Sequence, residues 1–260
     1  MSDVADTLSF LSQSTNRAEI LQLLQNDEQL DRYEIEEQIE ASRRTVIRTL
    51  DALTEHGYVE EGDDPYRLTA FGSELIDSYQ RFAEKTELAH EFAPFLTHLP
   101  DGIFDRDLRC LENAELITAT EGSPYALLDR TLTIRRQATQ FRELSPIIEQ
   151  KSIEQLAQRI RDDESISVEV VLSESALEAS ELHPDYQEDQ QLVNQADQTD
   201  IYLASTEIPF LLCIADDTVA IGVMNDRKPH ALVVSTDTDV KQWAEQTYEA
   251  YQEHVEPVLQ

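Results

Sequence analysis

The chain has 260 residues, which suits one large domain or two small ones, and 40% of them are hydrophobic, enough for a packed core. Asp and Glu number 53 against 20 Lys and Arg, a formal charge of −33, which excludes a protein that holds polyanions through bulk positive charge. No run approaches the ~18 apolar residues of a membrane span, the N-terminus shows no secretory pattern, and Cys110 and Cys213 form no C-x-x-C pair or disulfide framework, so a reduced, cytoplasmic protein is expected.

In chain order, apolar spacing predicts a short helix over 3–11, a second over 17–25 built on Ile20, Leu21, Leu23 and Leu24, and a third over 31–39 on Ile35 and Ile39. Ser42 is a good N-cap for a fourth helix running to about His56, and Gly57 supplies the stop. Two β-prone pieces, 58–60 and 66–69, flank a turn at Gly62-Asp63-Asp64-Pro65 and read as a hairpin. A long helix is expected over 70–93, after which Pro94 and Pro100 punctuate the chain.

The remainder alternates between the two periodicities. Strands are expected at 114–119, 137–144, 166–172, 200–204 and 230–235, with helices over 146–162, 173–179 and 184–196. Segments 209–215 and 219–223 flank Asp216-Asp217 as an antiparallel hairpin, and an amphipathic helix over 238–255 carries Val240, Trp243, Ala244 and Tyr248 on one side. The fold class expected is α+β: an N-terminal winged helix-turn-helix at 1–80, a linker helix and junction at 81–110, and a C-terminal α/β sensor domain with a mixed sheet at 111–260.

Four helices followed by a hairpin form the winged-helix order, in which one helix enters the major groove while its back packs on the domain. In Ser42-Arg43-Arg44-Thr45-Val46-Ile47-Arg48-Thr49-Leu50-Asp51-Ala52-Leu53, the residues Val46, Leu50 and Leu53 share one face, and the arginines fall away from it. Residues 1–80 hold 6 basic and 18 acidic residues, yet three of the six basic ones lie between 43 and 48. A basic island in an acidic domain is the footprint of an anionic partner. Arg43, Arg44, Thr45 and Arg48 are the candidate base-edge or phosphate readers, beside a helix N-terminus that favours phosphate. Ser42 caps the helix, Thr49 is placed to reach a phosphate or to remain a neutral surface residue, and Arg67 with Tyr66 supplies the wing contacts, Tyr66 being equally suited to packing on the sheet. Surface ion pairs are the competing use of these arginines.

The segments Phe10-Leu11-Ser12-Gln13-Ser14-Thr15-Asn16-Arg17, Ser42-Arg43-Arg44-Thr45 with Leu50, Leu53 and Gly57-Tyr58-Val59, and Tyr66-Arg67-Leu68-Thr69-Ala70-Phe71-Gly72 together resemble haloarchaeal winged-helix transcription regulators with an ArsR/TrmB-like reading head, over nearly all of residues 8–75. The segment Ala119-Thr120-Glu121-Gly122-Ser123-Pro124-Tyr125-Ala126-Leu127 and the ending Ile221-Gly222-Val223 with Val234-Ser235-Thr236-Asp237 are similar to the TrmB-like, phospholipase-D-related effector domain that such regulators carry. The resemblance implies promoter DNA as partner, no cofactor and a homodimer, in which two reading helices stand about 34 Å apart. Independently of it, acidity spread over the whole chain reads as a surface adapted to a very salty cytoplasm, where screening reaches about 3 Å at molar salt.

Catalysis is not expected. A phospholipase-D site needs His-x-Lys, which is missing, and the six histidines lack metal-ligand spacing. Asp216-Asp217 reads as a turn rather than a carboxylate dyad. An effector site is expected where Gly122 and Pro124 break the chain after a strand. It would be lined by Thr120, Glu121 and Tyr125, with Arg130, Arg135 and Arg136 holding an anionic metabolite; a solvated helix face is the other reading of those arginines. The alternative for the whole chain is an acidic winged-helix module that docks on a basic protein.

Overall fold

The computed structural model describes residues 2–27, 29–61, 65–181, 187–226 and 228–257. The chain divides into two compact units, Met1–Glu87 and Leu88–Gln260.

In the first unit, helices α1 (Ser2–Ser12), α2 (Thr15–Asn26), α3 (Arg32–Gln38) and α4 (Arg43–Glu55) precede a hairpin of β1 (Val59–Glu61) and β2 (Tyr66–Leu68), then the start of α5 (Ala70–Glu91). Its core joins Ile20, Leu21, Ile35, Val46, Leu50 and Ile76, and burying each such side chain stabilises by about 1.5–3 kcal/mol. Local signals fix the boundaries. Asp31 and Glu34 form a reciprocal capping box on α3, Ser42 caps α4, and Gly57 ends it at φ 74°. The hairpin pairs Val59 with Leu68 and Glu61 with Tyr66; the tip expected at 62–64 lies outside the described residues. Gly72 makes a close approach possible: a Cβ there would meet the Tyr58 carbonyl oxygen at 1.9 Å. The Thr69 amide donates to that same carbonyl at 3.0 Å.

The second unit is built on one mixed sheet. Its strands are β3 (Glu115–Thr118), β4 (Gln140–Ser145), β5 (Ser167–Leu172), β6 (Thr199–Ala204), β7 (Phe210–Ala215), β8 (Thr218–Asn225), β9 (Lys228–Ser235) and β10 (Val255–Pro257). The sheet order is β10-β6-β5-β4-β7-β8-β9-β3. Strands β4, β5 and β6 run parallel, and the others pair antiparallel. Alternating side chains feed two cores. Leu212, Ile214, Ile221 and Val233 pack with Phe92, Phe95, Trp243 and Tyr248. Phe141, Val168, Cys213, Ala220 and Leu232 pack with Leu127 and Ile134. Helices α7 (Ala126–Gln137), α8 (Gln150–Arg161) and α10 (Gln187–Gln195) cover the second of these faces; α9 (Glu174–Glu181) and α11 (Thr238–Gln252) complete the set.

Several expectations change. The stretch after residue 87 is core rather than linker: Leu88, Phe92, Phe95 and Leu111 are buried, and the Trp243 indole donates to the Ile103 carbonyl at 2.8 Å. Pro94 does not break this stretch but starts a short helix α6 (Ala93–Leu96), where its missing N–H costs nothing; a 3-10 turn follows at Leu108–Leu111. The last helix stops at Gln252 instead of 255, because Val255–Pro257 adds an edge strand beside β6. Asp216 takes a turn conformation at φ 48°, and its carboxylate accepts from the Thr139 amide and hydroxyl and the Gln140 amide at 3.0–3.1 Å. No helix among the described residues is long and apolar enough to cross a membrane.

Candidate functional site

Helix α4 presents two faces of opposite chemistry. Val46, Leu50 and Leu53 are fully buried, and Thr49 is buried with them at 6% exposure. A residue this buried is not a surface group free to meet a phosphate; the buried stripe is one residue wider than Val46, Leu50 and Leu53 alone indicate. Ser42 accepts the Thr45 amide at 3.2 Å, and the two hydroxyls lie 2.9 Å apart, so Ser42 acts as the cap and half-buried Thr45 leans on it.

Arg43, Arg44 and Arg48 are exposed. Arg44 and Arg48 have no ion-pair partner among the described residues, whereas the Arg43 Nε lies 3.5 Å from Glu36, with its side chain still 61% exposed. Arg32, 4.9 Å over the Tyr33 ring, and Arg43, 5.9 Å over it, flank that ring, and Tyr33 is 59% exposed. Sequence reasoning passed over Tyr33 and Arg32; an aromatic residue between Arg32 and the island at 43–48 was the available signal. The first turn of α4 holds no acid and its last turn no base, so its charges oppose the helix dipole, an arrangement that costs stability. Dipole, free amides and guanidinium groups all add positive potential at one end.

The wing residues are engaged within their own hairpin. Arg67 pairs with Glu60 at 2.6 Å while remaining 60% exposed. The Tyr66 hydroxyl donates to Glu61 at 3.2 Å, its ring packs on the core, and its main chain exchanges hydrogen bonds with Leu30. Burial first, then Glu61, pushes the Tyr66 hydroxyl above its ordinary pKa. Tyr66 is therefore a packing residue, and Arg67 reaches a duplex only by leaving Glu60.

The expected effector cluster does not assemble. Thr120, Glu121 and Tyr125 lie exposed in the turn before α7, with Lys151 5.3 Å over the Tyr125 ring. The strand preceding them, β3, is an antiparallel edge strand, so the rule for ligands beyond parallel strand ends does not apply there. Arg130 pairs with Glu115 at 2.8 Å, and Arg136 is exposed. Arg135 alone turns inward, 8% exposed, and pairs with buried Glu143. Burial opposes the charge of Arg135, but Glu143 outweighs it and holds the guanidinium protonated. Among the described residues no cluster of three or more His, Cys, Asp or Glu could hold a metal ion.

A family model described as "Methanogenesis regulatory protein FilR1, middle domain" matches residues 124–254, half of the chain. The chain belongs to that family. A second model, the HVO_A0261 N-terminal domain, matches residues 5–91 of this FilR1-family chain and so spans the winged helix. No curated protein is significantly similar to it in sequence. Among solved structures, TrmBL2, described as an archaeal chromatin protein with a novel mode of DNA binding, aligns at 13% identity over 97% of this chain and 99% of that one, with a TM-score of 0.44. NucT from Helicobacter pylori aligns at 13% identity over 56% of this chain and 98% of that one, with a TM-score of 0.43. Nuc from Salmonella typhimurium, a phospholipase D family member, aligns at 15% identity over 56% and 98%, with a TM-score of 0.41.

Proposed function

We propose that this FilR1-family chain is a cytoplasmic, sequence-specific transcription regulator that reads promoter DNA as a homodimer and answers to a small molecule. The N-terminal half of α4 is the reading surface, with Arg44 and Arg48 on base edges and Arg43, beside Tyr33, on phosphate. The observation that carries the reading is that Arg44 and Arg48 stay exposed and unpaired among the described residues of a strongly acidic unit, with Arg44 in the first turn of α4, where positive charge is least favourable. Exposed apolar side chains on α1 and α5, Val4, Phe71 and Phe82, favour a second copy as partner.

The test is retention of a duplex carrying the gene's own upstream region in molar KCl, by the wild type and by Arg44→Ala with Arg48→Ala. The expected loss is at least tenfold, because each good bidentate base contact is worth about 1–3 kcal/mol. Equal retention would overturn direct readout and leave the winged helix as a docking module for a basic protein. Ordinary protein–DNA affinity falls steadily with salt. With −33 on this chain, retention is expected to rise first as salt screens the bulk repulsion; a monotonic fall from low salt would sink the halophilic part of the reading.

A further inference from the structure

Between the sheet and helices α7, α8 and α10 lies a cavity of about 140 Å³. Its walls are largely aliphatic, with Leu127 from α7, Ile153 and Leu156 from α8, and Val170, Leu211 and Leu232 from the sheet. The buried polar side chains of the lining are already engaged. Thr131 donates to the Leu127 carbonyl at 3.0 Å, Ser145 to that of Ile147 at 2.7 Å, and Thr199 to that of Val193. Arg135 is held by Glu143 and Cys213. Arg159 is spent on the carbonyls of Arg135 and Ala138, at 2.6 and 2.9 Å, and on Glu164. Of the half-buried groups, Gln155 donates to Leu132 at 2.8 Å, and Gln190 is engaged too. What the interior offers a guest is aliphatic surface.

One edge differs. Glu149 is the N-cap residue of α8, yet its side chain makes no capping bond. Ser152 stands at the same edge, its amide donating to the Glu149 carbonyl at 2.9 Å. Both side chains line the cavity and both are half-buried. Neither the carboxylate nor the hydroxyl has a hydrogen-bond partner among the described residues. Asn194, on α10, is the other half-buried polar group of the lining left open among them. Burial pushes the Glu149 carboxyl above its ordinary pKa, against the pull of Lys151, whose ammonium lies instead 5.3 Å over the Tyr125 ring. Charge narrows the ligand. Arg135 is balanced by Glu143 and Arg159 by Glu164, so Glu149 carries the unbalanced charge of the lining. An anionic guest would meet that carboxylate, and a neutral one would leave it unpaired. A cationic head satisfies it, and at a half-buried edge keeps part of its hydration. Size sets the last limit, since an apolar cavity of about 150 Å³ holds one benzene.

We infer that this cavity is a binding site for a compact organic cation, with a saturated body of roughly six carbons on the aliphatic walls and a primary ammonium donating to the Glu149 carboxylate and the Ser152 hydroxyl. The anionic metabolite anticipated from the arginine cluster does not suit it. The inference rests on the response to a small molecule proposed above and names the class of that molecule. Binding is measured on the protein alone, so a failure here leaves the DNA reading standing, and a failure to retain DNA leaves this site standing.

The experiment titrates three probes into the full chain in molar KCl without DNA: cyclohexylammonium, cyclohexanol and cyclohexanecarboxylate. Methyl NMR shifts of the Leu, Ile and Val side chains report occupancy. Salt screens a partly buried pair less than an exposed one. The ammonium is therefore expected to bind about five- to tenfold tighter than the alcohol, the advantage of a charged donor over a neutral one, and the carboxylate weakest of the three. Glu149→Gln, at a half-buried position, is expected to bind the alcohol as before while losing the preference for the ammonium. Val170→Phe, which fills the cavity, is expected to lose both. Saturation by no probe, equal affinity of ammonium and alcohol, or tightest binding of the carboxylate each overturns the assignment. So does a preference that survives Glu149→Gln, or binding that survives Val170→Phe. If Val170→Phe fails to fold, the probe ranking on the wild type and on Glu149→Gln decides the matter.

Discussion

Two sets of arginines behave in opposite ways in the molecule, and only Arg135 of the second belongs to the basic cluster that the sequence shows at Arg130, Arg135 and Arg136. Arg43, Arg44 and Arg48 stand on the outer face of α4, exposed, and two of them have no ion-pair partner among the described residues. Arg135 and Arg159 are each 8% exposed, and both are fixed by carboxylates, Glu143 and Glu164. Arg159 also closes the carbonyl end of α7, where a cation suits the helix dipole. Clustering of basic residues is therefore not the functional signal. What separates the groups is whether the fold has already spent the charge, and that depends on which face of the helix each residue occupies.

The sharpest way to break this contrast is Glu143→Ala, which strands a buried guanidinium. A destabilisation of about 3–5 kcal/mol is expected by chemical denaturation; a change under about 1 kcal/mol would mean that Arg135 escapes to solvent. Gly72→Ala tests the packing of the N-terminal unit itself, and forcing a methyl onto the Tyr58 carbonyl is expected to cost about 1–3 kcal/mol. Ser42→Ala removes only a cap and should cost about 1 kcal/mol, read from the same unfolding curves. Arg44→Ala with Arg48→Ala should shift stability by no more than about 0.5 kcal/mol while lowering DNA retention at least about tenfold. That dissociation of folding from binding is what an unspent charge predicts.

The smallest signal is a thiol. Burial, and then Glu143, pushes Cys213 up to about 12 from an ordinary 9.0. Its neutral form is favoured in the folded state, so this part of the stability is intact below pH 9 and is lost as pH rises from there towards 12. Cys213→Ala should flatten the alkaline limb of a stability–pH profile. In a Cys110→Ser chain, a maleimide at pH 8 should label Cys213 only after unfolding, and rapid labelling of that native chain would contradict its burial.

The N-terminal unit was largely legible because its signals are local. Ser42 and Gly57 bound α4 as their chemistry dictates, and the Val46–Leu50–Leu53 spacing identified its inward side. Thr49 was misjudged because a small hydroxyl residue beside an apolar stripe sits as readily under the helix as outside it. The effector region was legible as strands and helices but not as a site. Arg135 and Arg136 are neighbours in sequence, yet about 100° of helical rotation separates them, so one turns inward and the other stays out. Glu143 carried the unused clue: it alternates with Phe141 and Ser145 on an inward face of β4, and a carboxylate there demands a buried cation. Strand β10 and the turn at Leu108–Leu111 are too short to show periodicity at all.

The contact at Gly72 has a mechanical consequence. With no side chain between the first turn of α5 and the Tyr58 carbonyl, and with the Thr69 hydroxyl tying the Gly57 and Tyr58 carbonyls to the Gly72 amide, the root of the wing and the head of α5 form one joint. A lateral load on the head of that helix passes straight to Tyr58 and the strand β1 that follows it, with no flexible side chain in between to absorb it.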